Sequence, residues 1–257
     1  MMKGKTMFEN FFKRRKDLRE EKNYGLTVEK KYGLYGLTKD KKYGLTGETI
    51  EVDGHILYRI QALKDFGDVK KGDLGGFIEK EGGDFLGAFL GEKEGLWKEG
   101  NLCQEGNCWV YGDAKVYGKA FVGDNAKIKD RAEVYGEAKI TDETEVSGNA
   151  RVCEKAWVYE NAKVGGYAMV SGRAHVKGNA QVSGNARVYD KADIYGEAQV
   201  YGKAEVGSCA NICGKAKVHG DANINNITMV RGKTEISEGK ASKLRIKGSK
   251  NKGIELD

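Results

Sequence analysis

The chain has no proline and only three histidines and three tryptophans in 257 residues. Every turn is therefore made by residues other than proline, and glycine, with 37 copies, is the available substitute. With so few histidines, chemistry built on several imidazoles is confined to His55, His175 and His219. No apolar run reaches membrane-spanning length. Met1–Glu9 is basic but lacks the apolar stretch of a secretory signal, so a cytoplasmic protein without a membrane span is expected. The five cysteines (Cys103, Cys108, Cys153, Cys209, Cys213) are odd in number and contain no CxxC pair, which argues for reduced thiols. Cys209 and Cys213 lie close in sequence, but no histidine or further cysteine stands in matching zinc-ligand spacing, so no metal is expected. A phosphate-binding glycine loop, a nucleophile elbow and paired metal carboxylates are all missing.

What the chain does have is a period. From Val110 to Ile236 a branched aliphatic residue returns at every sixth position, and up to Val230 each is followed four residues later by Ala, or by Thr at 144, 228 and 234. The unit is V-x-G-x-A-x, as in VYGDAK, VSGNAR and VHGDAN. Six is neither a helical period nor a simple strand alternation. Within A-x-V-x, however, Ala and Val share one side of a short strand and the intervening residues the other. The two remaining residues must turn the chain. The first of them is Gly in most hexads and Asp, Glu, Ser or Asn in the rest, residue types that suit a corner. Short strands joined by corners at fixed spacing describe a β-solenoid.

These hexads resemble those of the hexapeptide-repeat left-handed parallel β-helices, the superfamily of trimeric acyltransferase-like folds. The resemblance covers about half the chain. It implies three hexads per triangular coil, about seven coils, and a left-handed winding that runs against the usual crossover rule. At about 4.8 Å per coil the prism would be about 34 Å long. The phrases LGGFIE and GNLCQEGNCWV beside unbroken VYGNA-type hexads also resemble phage and prophage proteins of this repeat class.

Four segments follow. Residues 1–47 form a basic arm with 13 Lys/Arg against 6 Asp/Glu, which accounts for the net charge of +6 on the whole chain. Phe8, Phe11 and Phe12 lie at helical spacing, amid the candidate anion contacts Lys13, Arg14, Arg15, Lys16 and Arg19. YGLT phrases then recur up to residue 46, and the arm is expected to be partly helical and partly extended or disordered. Such an arm can touch nucleic acid, an acidic membrane surface or an acidic protein, or serve only as a solubilising tail. Residues 48–109 are expected to cap the solenoid, beginning with a β-hairpin in which Ile50, Val52, Ile56, Tyr58 and Ile60 alternate around Asp53-Gly54. GDLGGFIEKEG at 72–82 is echoed by GDFLGAFLGEKEG at 83–95. Residues 110–240 are the β-helix and 241–257 a tail or cap.

Enzymes of the resembled superfamily place a histidine base between subunits and throw a loop out of the coil. Here no insertion interrupts the hexads, and His175 and His219 are 44 residues apart, which is not a whole number of 18-residue coils. They fall on different faces, and His55 is a surface residue of the hairpin. No catalytic residue and no cofactor are assigned. An acyltransferase with an inter-subunit site, or nucleic-acid binding through residues 1–47, are the alternatives to a non-catalytic scaffold or interaction module.

Stacking at 18 residues also sorts the outward side chains. One face carries Lys115, Glu133, Arg151, Met169, Arg187 and Glu205, and another Lys127, Glu145 and Lys163, with signs that mostly alternate as a structural ladder would. The third brings together Phe121, Trp157, Tyr159, His175, Lys177, Asp193 and Tyr195, an aromatic cluster that suggests a contact surface. A homotrimer interface, a macromolecular partner and neutral repeat drift are the readings it allows.

Overall fold

The computed structural model describes residues 41–82, 100–242, 245–247 and 250–251. The candidate helix near Phe8, the arm cations Lys13 to Arg19 and the 83–95 echo lie outside them. Among the described residues there is no helix, and hence none long and apolar enough to cross a membrane.

Each hexad forms a short strand whose second member is the branched aliphatic residue, two residues long as in Lys115–Val116 and, one coil later, Glu133–Val134, and three long at Asn223–Asn225 and Met229–Arg231. Pairing is parallel and links residues 18 apart, so Val116, Val134, Val152, Val170, Val188 and Val206 form one interior column. The strands assemble into sheets of 11, 9 and 8 members, a three-sided parallel β-solenoid of about seven turns. Val and Ala of the repeat are buried along the whole stack, each valine contributing about 1.5–3 kcal/mol.

Every sixth residue from Gly106 to Gly232 has a positive φ, whether it is Gly or not. Asp124, Asp130, Asp142, Glu154, Glu160, Asp190, Ser208 and Asn226 thus sit in a left-handed conformation that costs a side-chain-bearing residue about 1–2 kcal/mol. The structure shows what offsets that cost. Asp124 accepts a hydrogen bond from the N–H of Asp142 (3.2 Å), Asp130 from Gly148 (2.8 Å), Asp142 from Glu160 (2.9 Å), Glu154 from Gly172 (2.9 Å) and Asp190 from Ser208 (3.2 Å). Each of these five carboxylates caps the corner amide of the next coil.

Three N–H groups per hexad donate forward to carbonyls 17 residues on, such as Trp109 to Ala126, Tyr111 to Ile128 and Asp113 to Asp130. The first coil therefore presents an edge rich in unmet carbonyls, and a cap must bring donors. β1 (Tyr43–Val52) and β2 (His55–Ala62) form an antiparallel hairpin, and β3 (Leu74–Ile78) pairs antiparallel with β2 and parallel with Lys115–Val116. Phe77 and Glu79 donate to Ala114 and Val116, and Asn101 Nδ2 to Gly118 and Ala120. The buried Lys42 ammonium donates to the carbonyls of Glu105 (3.2 Å), Gly106 (3.4 Å) and Cys108 (3.0 Å), and Tyr43 Oη to that of Leu102 (2.6 Å). Trp109, with Tyr43 and Phe66 set edge-on against it, closes the core at this end.

The hairpin turns at Asp53-Gly54, both with positive φ, as the sequence leads one to expect. It begins earlier than residue 48, at Tyr43, within the segment assigned to the arm. Its apolar alternation also differs from the expected one. Leu57 is buried against Phe77 and Tyr117, Ile56 is exposed, and Ile60, Ala62 and Tyr43 join the main core. Irregularities in pairing between Leu45 and Thr49 and between Arg59 and Gln61 shift the pleat, so the two ends of the hairpin bury opposite parities. At the other end the coil runs past residue 240. Asn223 pairs with Lys240, Met229 with Arg245 and Glu235 with Lys250, so three further rungs follow at five-residue spacing.

Candidate interaction face

Because each Val or Ile points inward, the residues on either side of it point out. On the eight-stranded sheet this places Phe121, Lys139, Trp157, His175, Asp193, Asn211 and Met229 in one column. Thr141, Tyr159, Lys177, Tyr195 and Cys213, each following an inward residue at the same 18-residue spacing, stand beside them.

Six of the seven residues expected to share this face form a contiguous strip. The Trp157 and Tyr159 rings lie 4.4 Å apart, tilted by 31°. His175, one rung on, sets its ring edge-on to both, at 5.9 Å and 6.2 Å. Lys177 Nζ lies 5.6 Å from the ring centres of both Tyr159 and Tyr195, bridging two rungs by cation–π contact. His175 Nδ1 is 3.4 Å from Asp193 Oδ1. Phe121 stands two rungs from Trp157 with Lys139 between them, and so lies outside the contiguous strip.

Two residues of the strip were not singled out from the sequence. Thr141 Oγ1 accepts the Trp157 indole N–H at 3.3 Å and so fixes the ring from the rung below. Cys213 hydrogen-bonds Tyr195, which with burial raises the phenol pKa above its ordinary value. Both stand 18 residues from members of the column, so the register itself was the signal. The Tyr159 hydroxyl raises the Lys177 pKa, burial opposes it, and the charges of Asp193 and Glu160 add to the rise, so the net direction is up and the ammonium stays charged.

The arrangement offers exposed π surface, with Trp157 38% exposed, one fixed cation and one His–Asp pair on a flat wall. That is chemistry for contact. The other two histidines are spoken for elsewhere. His219 follows Val218 on the nine-stranded sheet, stacks on Tyr201 at 4.7 Å and meets Glu235 at 3.2 Å. His55 is held by Glu79 at 3.1 Å, beside Tyr117. Among the described residues no group of three or more His, Cys, Asp or Glu is placed to hold a metal ion.

The other faces carry ion pairs. Lys115–Glu133 (2.9 Å), Arg151–Glu133 (3.9 Å) and Arg187–Glu205 (4.0 Å) follow the expected ladder on the eleven-stranded sheet. On the nine-stranded sheet the register Lys127–Glu145–Lys163 is as expected, but the charges pair elsewhere. Lys127 turns to Asp68 of the cap (3.0 Å) and Glu145 to Lys129 (2.8 Å).

A family model described as YdcK beta solenoid repeat matches residues 180–196, which span the Gln181–Val182, Arg187–Val188 and Asp193–Ile194 rungs. No curated protein matches the chain. The match and the architecture agree on a β-solenoid repeat protein.

Proposed function

We propose that this chain is a non-catalytic interaction module, a rigid prism that presents the Trp157–Tyr195 strip to a macromolecule, with a second copy of itself as the favoured partner in a homotrimer. The observation that carries the reading is the strip's continuity: aromatic edges, a cation and a His–Asp pair meet across consecutive rungs on a wall whose repeat would accept any polar residue. Burying an exposed aromatic cluster of this kind is how protein contacts concentrate their free energy. Two finer assignments rest on resemblance, a hexapeptide-repeat coil of left-handed winding and a phage or prophage type; the cytoplasmic setting rests on an odd set of cysteines with no CxxC pair.

The test is the solution mass. Light scattering on the full chain beside Trp157→Ala/Tyr159→Ala should show an oligomer that falls to monomer in the variant, with circular dichroism unchanged. An oligomer of unchanged mass removes the strip from self-association. A second reading is motivated by the surplus of 13 Lys/Arg over 6 Asp/Glu in residues 1–47. If the arm binds nucleic acid, affinity will fall steeply with salt and vanish without those residues; a shallow salt dependence removes that reading.

A further inference from the structure

Three columns of the eleven-stranded wall are interrupted on one and the same rung. In the charge ladder, Met169 stands between Arg151 and Arg187. In the column of Tyr117, Tyr135 and Tyr189 the place is taken by Ser171. At the corner, Gly172 puts no side chain between Glu154 and Asp190. Neither neighbouring tyrosine covers the gap. Tyr135 stacks back on Tyr117 at 5.1 Å. Tyr189 lies forward across Gly207, where a Cβ would come within 2.3 Å of its ring, and its hydroxyl donates to Asn225 at 3.1 Å. What remains is a cleft of about 400 Å³. We propose that this cleft binds an organic ammonium ion, a protonated primary amine on a short apolar arm. It lies on a different wall from the Trp157–Tyr195 strip and does not depend on the role given to that strip.

The sign of the occupant follows from the lining. Glu154, Asp190 and Glu205 bring three carboxylates against the single guanidinium of Arg187. A cleft lined by one sign of charge concentrates the other. Arg187 does not close it, since its side chain is 65% exposed and only 4.0 Å from Glu205. Glu154 Oε2 accepts the Gly172 N–H at 2.9 Å, which draws its carboxylate up to the empty corner and leaves Oε1 without a protein partner among the described residues. Asp190 commits Oδ2 to Ser208 and leaves Oδ1 in the same condition.

Ser171 points independently to a ligand. It is only 9% exposed, lines the cleft, and its hydroxyl has no hydrogen-bond partner among the described residues. Buried polar groups are ordinarily satisfied, so this one is left for whatever enters. An ammonium carries three donors, and the Ser171 hydroxyl with the free oxygens of Glu154 and Asp190 are the acceptors on offer. The Met169 thioether lies beside them for an apolar arm. Among the described residues the acids form no group placed to hold a metal ion, so the charge calls for a bulkier cation.

Met169 is its own reporter. The full chain would carry isotopically labelled methionine methyl groups, with the Met169 signal assigned through Met169→Leu and followed by nuclear magnetic resonance. It would be titrated with n-butylamine, n-butanol and n-butyrate, with Met229 on the eight-stranded sheet as the control. The expected result is a saturable shift of Met169 with butylamine alone, about fivefold weaker in Glu154→Gln. It is lost in Ser171→Tyr, which restores the tyrosine column and fills the cleft, with circular dichroism unchanged. Nα-acetyl-lysine methylamide, run beside butylamine, separates two sources of such an ion. Matching affinity assigns a lysine side chain of a polypeptide and loss of binding assigns a free amine, and both uphold the site. Equal shifts with butanol or butyrate, a Met169 signal that moves only when Met229 does, or undiminished binding in Ser171→Tyr overturns the proposal. The ligand series on the wild-type chain decides it even if a substituted protein fails to fold.

Discussion

The corners allow two costs to be separated. Gly112 and Gly172 are both left-handed, at φ 60° and 71°. A Cβ on Gly112 would approach the Asp130 carbonyl oxygen no closer than 3.4 Å, with the other Asp130 backbone atoms at 3.9 Å. A Cβ on Gly172 would come within 2.5 Å of the Asp190 nitrogen, 2.7 Å of its oxygen and 2.8 Å of its Cα, all backbone atoms of the next coil. Gly112→Ala should thus lose only the conformational cost, about 1–2 kcal/mol. Gly172→Ala adds overpacking of about 1–3 kcal/mol, for a total of about 2–5 kcal/mol. Gly172→Asp is the sharper probe. Glu154 already caps Gly172, and Asp190 caps Ser208, but no side chain at 172 caps Asp190. An aspartate there would continue the column and recover about 1 kcal/mol relative to alanine. The assay is urea unfolding followed by circular dichroism, with unchanged slope confirming that only stability has moved. Equal losses for the two alanine variants would refute the steric argument, and an aspartate no better than alanine would refute the role given to the corner carboxylates.

Three further outcomes are expected. Val170→Asp places a carboxylate mid-stack at a fully buried position with no partner and should give unfolded or insoluble protein; soluble protein with an unchanged spectrum would refute the interior column. Asp68 is held below the ordinary carboxylate range by the Tyr111 hydroxyl and the Lys127 ammonium, so its contribution is present above the unfolded-state value of about 4 and is lost as pH falls through the lower folded value. Asp68→Asn should therefore lower Tm near neutrality and converge with wild type in acid, and parallel Tm curves would refute the assignment. Burial pushes the Glu79 carboxyl up, but the Gly118 N–H and the His55 ring outweigh it and the net direction is down. Glu79→Gln should thus weaken the hold of the hairpin on the solenoid with the same pH sense: its Tm deficit against wild type should be present at neutral pH and close in acid, and a deficit that persists in acid would refute the assignment.

The solenoid was legible because one short period encodes three things at once: the inward Val, the inward Ala and the left-handed corner. The same arithmetic placed Trp157 over His175 and Lys177 between two tyrosines. It failed where structure depends on contacts outside the period. Lys42 looks like one more cation of a basic arm, and only the unmet carbonyls of the first coil explain why it is buried. Leu57 takes the inward place beside the exposed Ile56 because two breaks in pairing shift the pleat, and alternation along one strand carries no record of them. Lys127 leaves its ladder for Asp68, a residue of the cap that its own column does not announce. The rungs after Lys240 escape notice because they come every five residues and lack the V-x-G-x-A signature.

The pairing of residues 18 apart gives the chain a phase as well as a fold. Gain or loss of one full coil ahead of Trp157 would leave every later residue on its own wall, one storey up or down. Gain or loss of a single hexad would keep every Val and Ala inside and every corner turned, yet carry all that follows to the next wall. Trp157 would then leave the column of Phe121 while keeping that of His175. The core is blind to that change and surface composition is not, so a six-residue length variant would keep its interior columns and differ from its parent in which outward side chains and corner carboxylates it aligns across the junction.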